Sequence, residues 1–152
     1  MKRFLSLFAF LMIWVFFANS QEIKEIDGVY FAGSKPYTGT SVTYNENGSV
    51  RMESSFKDGF KDGQFKLYFE NGKLNEIRSY RNNEMDGTWI TWNEKGVKTG
   101  EANYQAGKKH GKWFIWNDNG HLVYEMNYQD GERSGTWKKF DETGTLLSSR
   151  DF

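Results

Sequence analysis

The chain has 152 residues, sixteen glycines, one proline, no cysteine and 18% aromatic side chains, which excludes the usual helix-rich mixture and any disulfide framework. Basic and acidic residues number twenty each, so there is no basic field to hold nucleic acid and no acidic tail to imitate it.

In chain order, the first twenty residues stand apart. Lys2 and Arg3 precede the uncharged run FLSLFAFLMIWVFFA, residues 4–18, and the small residues Ala18, Asn19 and Ser20 follow. A basic start, a short apolar run and small residues make the pattern of a secretory signal peptide, residues 1–20, predicted to be cut after Ser20. The run is shorter than the ~20 apolar residues that span a bilayer, so the mature chain is expected to have no transmembrane segment. No cysteine follows it, which excludes a lipid-modified lipoprotein. The mature chain keeps eighteen basic and twenty acidic residues, a formal charge of −2, and is expected in a periplasm or outside the cell. Without disulfides, packing and backbone pairing alone must stabilise it.

Residues 21–38, with the run GVYFAGSKPYT, form a degenerate leading unit or cap. From residue 39 to 152 the chain repeats. Gly39, Gly63, Gly87, Gly111 and Gly135 recur every 24 residues, and so do Gly48, Gly72, Gly96, Gly120 and Gly144. Two glycine series with one period mean an internal repeat. The aromatics keep the same period in three series: Tyr44, Tyr68, Trp92, Trp116 and Phe140; Phe56, Tyr80, Tyr104, Tyr128 and Phe152; and Phe65, Trp89, Trp113 and Trp137, with Ser41 in the first unit. Lys98 replaces an aliphatic residue of the unit and Asn83 replaces a glycine.

Each unit reads as a β-hairpin. In LVYEMNY, Leu122, Tyr124, Met126 and Tyr128 alternate with Val123, Glu125 and Asn127, the period of a strand with unequal faces. KWFIW before it is aromatic and β-branched, and NDNG between the two ends in a glycine able to take positive φ. Three-residue loops closed by Gly48, Gly72, Gly96, Gly120 and Gly144 would set Tyr44 against Val50, Tyr68 against Leu74 and Trp116 against Leu122. Asp58-Gly59, Ala106-Gly107 and Asp130-Gly131 carry the chain from one hairpin to the next. The expected fold is all-β: an elongated, single-layer antiparallel meander of consecutive hairpins with a 24-residue repeat. Trp113 and Trp116 lie on opposite faces if their strand is regular and on one face if a bulge falls between them.

The core Y-x-x-G-x-x-x-G-x-W-x-x-W-x-x-x-G, seen in YQAGKKHGKWFIWNDNG and, with Asn83 for the first glycine, in YRNNEMDGTWITWNEKG, resembles the MORN repeat in its longer-spaced bacterial variant. The likeness covers residues 39–152 as five copies. It implies a sheet of hairpins with a role in protein or membrane-lipid contact rather than catalysis. Similar bacterial chains often carry the label of toxin–antitoxin antitoxins, which implies antitoxin-like protein binding as an alternative.

No catalytic or metal site is expected, and no cofactor. His110 and His121 are the only histidines, and His110 fills a turn position held by Asp62, Asp86 and Ser134 in other copies. KDGFKDGQF places Asp58 and Asp62 near glycines without the ligand series of a calcium loop, and no serine has a histidine and acid to activate it. NGS at residues 47–49 fits a glycosylation sequon and equally a turn. The aromatic rows are the candidate contact surface: Tyr68, Trp92, Trp116 and Phe140 in one series, Trp89, Trp113 and Trp137 in another. Trp113 is expected to be scaffold and Trp116 the more exposed ring. A protein is the expected partner; a glycan, a choline-type cation held by ring faces, or a lipid headgroup are the alternatives.

Overall fold

The computed structural model describes residues 22–152; the signal peptide read at residues 1–20 lies outside them. Strands and turns account for the ordered elements, and no helix among the described residues is long and apolar enough to cross a membrane. Five hairpins follow one another: Gly39–Tyr44 with Val50–Lys57, Gly63–Tyr68 with Leu74–Arg81, Gly87–Trp92 with Lys98–Gln105, Gly111–Trp116 with Leu122–Gln129, and Thr136–Phe140 with Leu146–Asp151. Their ten strands lie side by side in chain order as one open antiparallel sheet. The expected all-β meander is therefore the observed fold.

The loops explain the register. In the first, Gly48 N–H donates to Asn45 O at 3.0 Å and Asn45 N–H to Ser49 O at 2.9 Å, a three-residue loop whose last residue, Gly48, has φ 82°. Gly72, Gly96, Gly120 and Gly144 repeat this with φ between 79° and 87°. The carboxamide or carboxylate one place after the aromatic locks the loop: Oδ1 of Asn93, Asn117 and Asp141 accepts the backbone N–H of Val97, His121 and Thr145 at 2.9–3.0 Å. These contacts, led by the Thr143 hydroxyl, hold the Asp141 carboxyl below its ordinary pKa. Tyr44 faces Val50, Tyr68 faces Leu74 and Trp116 faces Leu122, as the loop type requires.

One step further from the loop, every hairpin carries a bulge. Ile115 pairs with Tyr124 and Trp116 with Leu122, leaving Val123 as the extra residue on the partner strand. The strand of the two tryptophans thus stays regular, and Trp113 and Trp116 take opposite faces. Phe114 confirms it by stacking on Trp116 at 5.5 Å, as two residues of one face must be placed. The bulge also corrects the reading of LVYEMNY: Leu122 joins Trp116 on one face, while Tyr124, Met126 and Tyr128 occupy the other.

The hairpins are linked by two-residue turns in which both residues have positive φ: Asp58-Gly59, Asn82-Asn83, Ala106-Gly107 and Asp130-Gly131. These are the primed turns that match strand twist. Each is stitched to the preceding linker: Gly59, Asn83, Gly107 and Gly131 donate N–H to the carbonyls of Tyr37, Lys61, Met85 and Lys109 at 2.8–2.9 Å. The N-terminal strands Ile23–Ile26, Val29–Ala32 and Lys35–Pro36 form a small separate sheet. It docks on the first linker, where Tyr30 N–H meets Gly59 O at 2.7 Å. Asn83 adds a staple: its Oδ1 accepts Lys61 N–H and its Nδ2 donates to Gly28 O, both at 2.7 Å.

Two outcomes test this account. Gly120→Val forces a β-branched residue into φ 83° with its Cβ 3.3 Å from Val97; it should cost about 1 kcal/mol or more, read as a lower denaturation midpoint. Asn83→Gly keeps the turn conformation and removes the staple, so it should cost roughly 1–2 kcal/mol. Amide exchange should rise first at Tyr30 and Gly59, and unchanged protection there would show that the N-terminal sheet is held otherwise.

Candidate functional site

The bulged register divides the aromatic residues between two faces of different chemistry. On one face Phe56, Tyr80, Tyr104 and Tyr128 each lie directly across from a glycine: Gly39, Gly63, Gly87 and Gly111. A ring opposite a residue without a side chain is free to lean along the sheet, and Phe56, Tyr104 and Tyr128 lean onto the aromatic of the next hairpin, while Tyr80 meets only Phe65 of its own. The result is a ladder of rings: Tyr30, Phe56, Phe65 and Tyr80, then Trp89, Tyr104, Trp113, Tyr128, Trp137 and Phe152, with neighbouring centroids 4.6–5.7 Å apart. These are the tilted and edge contacts that aromatic quadrupoles favour. The indole N–H groups of Trp113 and Trp137 donate to the carbonyls of Asn103 and Asn127, each at 2.9 Å.

Trp89 departs from this pattern. Its indole donates to the carboxylate of Glu76, which also takes the Arg78 guanidinium at 2.8 Å. Arg78 lies 4.8 Å above the Trp89 ring and fills the break between Tyr80 and Trp89. The hydrogen bond to Glu76, more than its charge alone, raises the Arg78 pKa. Burial is the first cause that raises the phenols of Tyr104 and Tyr30, the latter to about 12 with help from Glu25.

Cations sit on the ladder with the same 24-residue period. Lys61 lies 5.5–5.9 Å from the rings of Tyr30, Phe65 and Tyr80; Lys109 lies 4.6 and 4.9 Å from Trp113 and Tyr128; and Arg133 lies 4.8 and 5.1 Å from Trp137 and Phe152. Met85 occupies the matching place in the third unit. These residues follow the linker turns, where polarity reads as solvation. Their spacing was nonetheless present in the sequence.

The opposite face carries Tyr68, Trp92, Trp116 and Phe140 beside ion pairs. Lys66 meets Glu53 at 3.7 Å, Lys138 and Lys112 meet Glu125 at 3.4 and 3.7 Å, and Lys98 pairs with Glu101 while lying 4.8 Å over Trp116. Burial, and after it the bond to Glu53, raises the Tyr68 phenol above its ordinary pKa. Trp113 and Trp116 are both half-buried, as are Trp89, Trp92, Trp137, Tyr68 and Phe140. The structure thus groups the two candidate series on separate surfaces and not into one site. His110 stays at its turn, with Nδ1 3.7 Å from Asp130 Oδ1. Asn47 spends its side-chain oxygen on Ser49 N–H at 2.9 Å, as a turn residue does.

Comparison with known families agrees with this geometry. The MORN repeat variant model matches residues 37–58, 61–82, 109–130 and 133–152. The stretch between the second and third matches, 83–108, holds the third hairpin, where Asn83, Met85 and Lys98 depart from their series. No curated protein matches the chain. MORN repeats form a non-catalytic scaffold generally associated with protein or membrane-lipid binding. With four matched repeats that together cover more than half of the residues, the chain belongs to the MORN repeat variant family.

Proposed function

We propose that this protein is an exported, non-catalytic scaffold whose ladder face holds a protein partner. The observation that carries the reading is a row of aromatic rings on one face of a single-layer sheet, half-buried from Tyr80 to Trp137. A second layer would bury such rings, and among the described residues only Phe56, Phe65 and Met126 are buried hydrophobic side chains. Rings of this size, fixed by their neighbours before any partner arrives, lose little freedom on binding and supply the anchors typical of protein interfaces. Export rests on Lys2, Arg3 and the apolar run up to Ala18. A glycan, a choline-type cation or a lipid headgroup on the same rings is the alternative, as is antitoxin-like binding of a protein inside the cell.

Intact-mass measurement of protein from its native host should give a chain beginning at Gln21, in the envelope or the medium. An unprocessed cytoplasmic chain would overturn export and favour the antitoxin-like alternative.

The two faces are separated by substitution. Trp113→Ala should lower stability by about 3 kcal/mol, since it removes a ring between Tyr104 and Tyr128, whereas Trp116→Ala loses one stacking partner and about 1 kcal/mol. Ile115, 42% exposed on the ladder face, offers a cleaner probe. Capture of the native partner by the mature chain should be lost with Ile115→Asp, at an unchanged denaturation midpoint, and kept with Trp116→Ala. The reverse pattern would move the contact surface to the opposite face.

A further inference from the structure

The ladder face is not uniform along its length. Between Trp89 and Trp113 it opens into a hollow of about 240 Å³, with Tyr104 on one side and Ile115 on the other. Its floor is made by Gly100 and Ala102. In the other hairpins the position of Ala102 is held by Ser54, Arg78, Met126 and Arg150, and that of Gly100 by Met52, Glu76, Tyr124 and Ser148. Arg78 fills its interval by lying on Trp89, and Met126 fills its own by being buried. Only the third hairpin has small residues at both places, and Met85 withholds the cation that would otherwise reach over this part of the ladder. Thr91 adds a reason for glycine at 100, since a Cβ there would stand 2.6 Å from its Oγ1.

The charges around the hollow select its occupant. Arg78 lies on the Trp89 ring at one end and Lys109 on the Trp113 ring at the other. The carboxylate of Glu76 is spent on Arg78 and on the Trp89 indole. Glu101 is spent on Lys98 across the sheet. A cationic ligand would therefore enter beside Lys109 and a closed Arg78–Glu76 pair, with no unpaired carboxylate to receive it, whereas a neutral apolar group would replace water against three aromatic rings. Acidic groups on the Trp113 side of it would meet Lys109, with Arg133 one hairpin further along, whereas Arg78 is already paired with Glu76. Successive hairpins bring these cations around at two strand spacings, ~10 Å, a distance that an extended chain covers in about three residues.

We propose that this hollow is an anchor pocket for one bulky apolar side chain, of leucine to phenylalanine size, carried by an extended acidic protein segment laid across the ladder face. The proposal rests on the reading of that face as a protein-contact surface and adds the class of partner and its point of purchase.

Random-peptide display on the full chain, followed by fluorescence anisotropy with a synthetic peptide of the selected consensus, tests it. The consensus should hold one large apolar residue flanked by aspartate or glutamate. Ala102→Met fills the hollow as Met126 fills the next interval; it should weaken binding roughly tenfold or more while leaving the denaturation midpoint in place. Lys109→Gln should weaken binding severalfold and flatten its salt dependence. Basic consensus peptides, undiminished binding to Ala102→Met, or no enriched peptide at all would overturn the pocket. Peptides that bind Ala102→Met normally but fail on Arg133→Glu would remove the pocket and keep the ladder face as the contact surface. Peptides indifferent to both and lost on Trp116→Ala would remove both readings.

Discussion

A single sheet has two faces and no second layer to cover either, so the usual source of stability, a shared interior, is missing here. The aromatic ladder stands in its place. Phe56, Tyr104 and Tyr128 each touch an aromatic of their own neighbourhood and one of the next hairpin, so the contact that covers one hairpin also joins it to the following one; after Tyr80 the Arg78 side chain on Trp89 takes that place. Within a hairpin five or six residue couples are in register, whereas successive hairpins share two between their long strands, as Gly100 with Ile115 and Glu101 with Phe114, and two more beside the linker turn, as Tyr104 with Lys109. The rings supply the cohesion that the sparse inter-hairpin pairing lacks. Stability of this kind is a chain of nearest-neighbour terms, which makes each hairpin dependent on the ring, or at the junction of the second and third on the Arg78 side chain, that its neighbour presents.

The ladder also explains the glycines better than turn chemistry alone. Gly63, Gly87 and Gly111 begin strands and do not close loops, yet they recur as strictly as the loop glycines. They have φ of 71–100°, and they face Tyr80, Tyr104 and Tyr128 across the strands. The aromatic covers the exposed backbone of its glycine partner, a pairing that compensates the weakness of glycine in a strand. Loop glycine, strand glycine and ring are therefore one device, and they share a period because none works without the others.

Much of this was readable from the period. The two glycine series, the three aromatic series and the Asn-Gly loops fix five hairpins, their loop type and the pairing of Trp116 with Leu122. The bulge was not readable. Val123 and its counterparts Arg51, Asn75, Thr99 and Leu147 share no chemistry, because an extra residue held by backbone geometry makes no demand on its side chain. Without it the strand Leu122–Gln129 looks regular, and the face of Trp116 relative to Trp113 cannot be fixed from spacing alone. The row of Lys61, Lys109 and Arg133 was visible as spacing but silent as chemistry, since only the fold shows that a residue just past a turn leans over a ring.

Charge separates the two faces in a way that net charge hides. On one face lysines meet glutamates, so that surface is neutralised locally and its rings lie among closed ion pairs. On the other, cations rest on π-faces, which hold them in place without cancelling them, because a ring quadrupole carries no net charge. A chain whose twenty basic and twenty acidic residues balance thus gathers cations along its aromatic row. Arg78 is the exception that sharpens the point: neutralised by Glu76, it marks the one place where the repeat abandons its pattern. Immediately beyond it Trp89 gives up the carbonyl bond of its counterparts, Met85 replaces a cation, and Gly100 and Ala102 replace larger side chains. These variations cluster at one junction, between the second and third hairpins, and the scaffold does not explain them, since the other copies show what the scaffold requires. On the proposed reading of the ladder face as a contact surface, they are where the array would distinguish one partner from another.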